Sequence, residues 1–104
     1  MVKRGRIEMD RVYDSILKGD LEGFKELLLD NSIDPSVVNE KDEWGLTLLH
    51  WVAATGRQDA AKLLITMGAD VNARSNNGWR PLRLAVESGN KELTSFLVEN
   101  GAFR

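Results

Sequence analysis

The chain reads as an all-α solenoid of three stacked helix–turn–helix units that share one core. Three observations carry that reading. Glycines recur in one register: Gly45 with Gly78, Gly56 with Gly89 and Gly68 with Gly101, each pair separated by 78 − 45 = 33 residues. Between them, apolar residues fall at i, i+3 and i+4, the spacing of a single helix face. A glycine stands just past each apolar run, where left-handed backbone ends a helix.

The elements follow from local chemistry. In the middle unit Thr47 is placed to cap a helix whose inner face is Leu49, Val52 and Ala53, and Gly56 stops it. A second helix over about 58–67 turns Ala60, Ala61, Leu64 and Ile65 inward and ends at Gly68. In the last unit Pro81 suits the first helical position, where its missing N–H costs nothing. Leu82, Ala85 and Val86 then repeat the apolar face, followed by Leu93, Phe96 and Leu97 in the second helix. A degenerate unit comes first. Asp10 is its expected cap, and a helix over about 10–18 presents Val12, Ile16 and Leu17. Gly19-Asp20-Leu21-Glu22 opens its second helix. Here the spacing is 56 − 19 = 37, and the excess lies in the turn-rich stretch Asp30-Asn31-Ser32-Ile33-Asp34-Pro35-Ser36, read as a long loop.

Thr47-Leu48-Leu49-His50 matches a Thr-Pro-Leu-His motif with leucine for proline, and Gly68-Ala69-Asp70-Val71-Asn72-Ala73 is a characteristic repeat ending. With the period, these residues make the chain resemble the ankyrin repeat family over nearly its whole length. The resemblance implies units of about 9–41, 42–74 and 75–104 with β-turn tips, after a flexible basic N-terminus at 1–8. It also implies a non-catalytic scaffold that binds another protein through its concave side, as an inhibitor or adaptor. Carried over by position, the middle unit offers Lys41, Glu43, Trp44, Leu46 and Ala54 to a partner. The last unit offers Arg74, Asn76, Asn77, Trp79, Arg83 and Glu87. The resemblance gives His50 a structural role in holding the turn. Asn72 resembles asparagines that are hydroxylated in animal ankyrins, and its other reading is a side chain bonded to the turn backbone. Arg80 and Arg83 depart from the family, standing where threonine and histidine are usual, and with Arg74 they suggest a site for an acidic patch. Loss of the threonine cap is expected to cost about 1 kcal/mol.

Composition narrows the function further. A length of 104 residues is one domain. Hydrophobic residues are 42% and charged residues 29%, an ordinary globular balance. No cysteine is present, which excludes disulfides, thiolate metal sites and cysteine nucleophiles. The single histidine, His50, excludes a multi-histidine metal site. No cofactor, metal or small-molecule substrate is expected. No run approaches a membrane span and no apolar run follows Lys3, Arg4 and Arg6, so the expected compartment is the cytoplasm, or the nucleus in a eukaryote. Net charge is −2, and nucleic acid is not the expected partner. Charge is uneven, however: residues 9–43 hold ten acidic and four basic groups, the rest of the folded chain seven basic and five acidic. No Gly-x-Ser-x-Gly elbow, phosphate loop or EF-hand loop occurs. The chain is expected to be a monomer. The rival expectation is a structural piece of a longer array, because Leu93, Phe96, Leu97, Val98 and Phe103 leave the last unit apolar where a following unit would cover it.

Overall fold

The computed structural model describes residues 9–30 and 35–103. The basic segment expected to be flexible, at 1–8, and most of the long loop lie outside them. The described residues form six α-helices, α1 (Met9–Lys18), α2 (Leu21–Leu28), α3 (Leu48–Thr55), α4 (Gln58–Thr66), α5 (Pro81–Ser88) and α6 (Lys91–Glu99), with a 3-10 turn at Pro35–Asn39. They pair as α1/α2, α3/α4 and α5/α6. The first helices stack with α3 between α1 and α5, and α2 packs on α4. The particle is elongated, 40 × 27 × 21 Å.

Short helices are marginal alone, so packing must hold them. A continuous core does so: Val12, Ile16 and Phe24 from the first pair, Leu49, Val52 and Leu64 from the second, Leu82, Ala85, Leu93 and Leu97 from the third. The apolar spacing located all of these but Phe24, and it turned two exposed residues inward. Leu17 and Val86 are 55% and 46% exposed. Leu17 stands at the register of Ala54 and Glu87, a row of the first helices open to solvent in every unit. Val86 stands 33 residues after Ala53, which is fully buried because α5 packs over α3, whereas none of the described residues packs over α5 in the same way. The residues just after the long loop, to which the sequence assigned no element, also hold structure. Val37 and Val38 of the 3-10 turn are 2% exposed and join the core.

Caps follow the donor and acceptor chemistry at three equivalent positions, Asp20, Arg57 and Asn90. The Asp20 carboxylate only accepts, and it takes the Gly23 N–H at the start of α2 (3.0 Å). Asn90 does both. Its Oδ1 accepts from Leu93 N, capping α6, while its Nδ2 donates to Gly56 O at the end of α3. Arg57 only donates, so α4 has no side-chain cap there; its guanidinium instead binds Ile16 O (3.1 Å) and Leu17 O (3.2 Å) at the end of α1. Asp10 lies inside the first turn of α1, because the helix already includes Met9. Arg80 makes no cap bond, as its side chain predicts, and Pro81 opens α5.

Arg57 is therefore the clasp between the first pair and the rest. We expect Arg57→Ala to lower stability by about 1–2 kcal/mol, read by urea unfolding. Amide exchange should rise most in α1, and Arg57→Asn should retain part of the loss because asparagine still offers a donor.

Candidate functional site: the turn tips and the inner helix row

The tip before α3 is built around Asp42. Its Oδ1 accepts from Trp44 N and Leu46 N (2.9 Å each), and its Oδ2 accepts the Trp51 indole N–H (3.0 Å). Ser75 does the same work one unit later, its Oγ accepting from Asn77 N and Trp79 N. The two tips touch. Asn76 N donates to Trp44 O (3.0 Å) and Asn76 Nδ2 to Glu43 O (3.0 Å). Gly45 sits in this contact at φ +79°, and a Cβ there would lie 2.6 Å from Asn76 N. Only glycine fits.

His50 anchors the base of the tips. It is fully buried. Thr47 N donates to its Nδ1 (3.0 Å), and its Nε2 lies 2.8 Å from Trp79 O. A carbonyl only accepts, so the proton is on Nε2 and the ring is neutral. With Thr47 it completes a capping box at α3. Both nitrogens serve the fold, which leaves neither for general-base chemistry. Burial lowers its pKa first, and Lys41 adds to that; the bond to Trp79 O and the Asp42 charge oppose them. Among the described residues no group of three or more His, Asp or Glu is placed to hold a metal ion.

Asn72 bridges units. Its Nδ2 donates to Gly101 O and its Oδ1 accepts from Phe103 N (2.9 Å). Asn39, 33 residues earlier, makes the same pair with Gly68 O and Asp70 N. Its side chain is thus bonded to the turn backbone of the next unit.

The eleven expected contact residues fall into different settings. Lys41 spends its ammonium on Arg74 O (2.9 Å) and Asn76 its amide on Glu43 O, so both stitch one tip to the next. Leu46 is half-buried. Glu43, Trp44, Ala54, Arg74 and Asn77 are exposed, with Trp44 at 57%. Trp79, Arg83 and Glu87 come together: the Arg83 guanidinium lies 5.0 Å over the Trp79 ring and 3.6 Å from the Glu87 carboxylate. Arg80 turns to Phe103, 4.9 Å over its ring. Arg80 and Arg83 line one depression with Gly78, and the Arg74 guanidinium reaches that glycine from the segment before the tip. Sequence reasoning missed Tyr13 and Trp51, whose rings pack at 5.3 Å between the first and second units. Burial raises the Tyr13 pKa, and the carboxylates of Asp42, Glu40 and Asp10 raise it further.

A family described as ankyrin repeats (3 copies) matches residues 13–103. This chain belongs to the ankyrin repeat family. It is 31% identical over 91 residues to human protein phosphatase 1 regulatory subunit 27, covering 88% of this chain and 57% of that protein. It is 29% identical to an ankyrin repeat protein of Rickettsia bellii, covering 93% of this chain and 64% of the relative. The chain thus spans less than two thirds of either. Among solved structures it superimposes, with TM-score 0.79 and 29% identity, on a chain from the complex of the Bd0816 predatory endopeptidase from Bdellovibrio bacteriovorus with immunity protein Bd3460. That match covers 89% of this chain and 47% of the other. Ankyrin repeats are protein-interaction modules and typically lack catalysis. No helix among the described residues is long and apolar enough to cross a membrane.

The neutral state of His50 makes stability depend on pH. Its folded pKa is below the ordinary 6.5, so its contribution is complete above that value and is lost as pH falls toward the depressed one. Urea unfolding between about pH 5 and 8 should show the wild type losing its advantage over His50→Gln below pH 6.5. A constant difference would contradict the neutral ring.

Proposed function

We propose that this chain is a non-catalytic protein-binding module that holds its partner against the turn tips and the open row of the first helices, acting as an inhibitor or adaptor. The observation that carries this reading is the row Leu17, Ala54 and Glu87, one exposed position repeated on α1, α3 and α5, beside the exposed Trp44. These side chains take no part in the core, while the backbone beneath them is held by bonds between units. Such a surface is already ordered before binding, which lowers the entropy lost on association. Tryptophan adds a large, rigid contact at the tip. A regulatory subunit of a phosphatase among the relatives, and a matching chain in an endopeptidase–immunity protein complex, both support an effect exerted on another protein. Occupying the partner's surface is then the mechanism, with no bond made or broken.

The test uses Ala54→Arg, which adds bulk and charge at an exposed position. A partner cross-linked by wild type should be lost with Ala54→Arg and weakened by Trp44→Ala, and kept by Thr66→Arg at the exposed end of α4. Circular dichroism should show all three variants folded. Loss with Thr66→Arg alone would place binding on the second helices.

A further inference from the structure

We propose that the outer face of α5, formed by Trp79, Arg80, Arg83 and Val86, docks a protein segment that presents carboxylates beside apolar side chains. This rests on the reading of the chain as a protein-binding module and names the chemistry of its partner. The register of the repeat identifies the face. Thr47, His50 and Ala53 of α3 are 1%, 0% and 0% exposed because α5 packs on them. The residues 33 positions later are Arg80, Arg83 and Val86. They line a depression of about 260 Å³ with Gly78, Trp79 and Glu87. Apolar surface continues beside it: Trp79 is 40% and Phe103 56% exposed, and the Phe103 ring lies 4.9 Å from the Arg80 guanidinium. A seat that receives a neighbour in the second unit therefore carries two guanidiniums and exposed apolar groups in the third.

Three occupants compete for this seat. A further unit of the same kind would offer a backbone carbonyl there, as Trp79 does to His50. The exposed Arg83 guanidinium would then be taken from water with only its 3.6 Å contact to Glu87 to offset the cost. A second copy packed head-to-tail would bring Arg11, Asp14 and Lys18, the α1 residues at the register of Leu48, Trp51 and Thr55. Lys18 already holds Asp14 at 3.1 Å, so that face brings no surplus of carboxylates to the arginines. Two copies packed face to face would oppose arginine to arginine. A carboxylate-bearing partner resolves the charge. The Arg83 guanidinium carbon lies 5.0 Å over the Trp79 ring, and a guanidinium over an aromatic face can still donate to a carboxylate from its edge. Its contact with Glu87, at 3.6 Å and exposed, is weak enough to exchange. Val86 and Trp79 supply apolar contact beside it.

The test titrates the ¹⁵N-labelled full chain with acetyl-Glu-Leu-Phe-Glu-Leu-Phe amide and with its Gln-for-Glu counterpart. Expected are saturable shifts of the Trp79 indole N–H and the Arg83 Nε–H, at least about tenfold weaker with the glutamine peptide. Binding should fall with added salt and be lost in Arg83→Gln, which alters an exposed side chain and leaves the core intact. Absence of saturable shifts overturns the proposal. Shifts confined to Trp44 and the Ala54 row also overturn it, and leave the protein-binding reading standing. Concentration-dependent dimerisation in light scattering, abolished by Arg83→Gln, would overturn it in favour of a second copy.

Discussion

Each helix of this protein ends before it can satisfy its own backbone, and the neighbouring unit supplies what is missing. A helix leaves its first four N–H and last four C=O groups unpaired, and α1 to α6 are only eight to ten residues long. Most of their polar groups are therefore terminal. Arg57 reaches back to the end of α1 and Asn90 to the end of α3. Asn39 and Asn72 reach forward to the next turn, and His50 to Trp79 O. The apolar stack brings the units together without regard to register, because burial has no direction. These hooks supply the direction, and the 33-residue period is the distance at which the same side chain meets the same backbone group again.

The surface is what remains once those demands are met. Lys41 and Asn76 lie on the tips, yet their polar atoms belong to the neighbouring tip. Trp44, Ala54 and Glu87 owe nothing to the frame and stay open. The two ends of the stack of first helices differ as well. The outer face of α1 carries Arg11, Asp14 and Lys18, whereas that of α5 carries Trp79, Arg83 and Val86. On the described residues the first face is charged and exposed, and the other joins apolar area to positive charge.

Much of the interior was legible in the residue order, since Leu49, Leu64, Leu82 and Leu97 mark helix faces that no single-unit reading mistakes. Ankyrin repeats were legible too, from the Thr47–His50 motif and the ending at Gly68–Ala73. What escaped depends on contact between units. Leu17 and Val86 satisfy the helical spacing, but exposure depends on which neighbour packs beside them, and only the comparison with Ala54 and Ala53 at the same register reveals it. Tyr13 and Trp51 belong to different units separated by the irregular loop, so their ring contact leaves no periodic trace. Val37 and Val38 follow a stretch whose proline and polar residues announced a loop, and two adjacent valines are too few to show a period. Of the three arginines expected to cluster, Arg80 and Arg83 line the depression and Arg74 reaches its edge at Gly78.

The same electrostatics governs positions 50 and 83. A fully enclosed side chain there must be neutral, and His50 meets that condition by holding its proton on Nε2 against Trp79 O. Arginine has no neutral form to adopt at ordinary pH. Its presence at position 83 is compatible with two environments, open water or a covering group that brings its own negative charge. The apolar neighbours Trp79 and Val86 disfavour permanent exposure to water, and the guanidinium disfavours a purely apolar cover. A cover that sets a carboxylate among apolar groups would satisfy both demands.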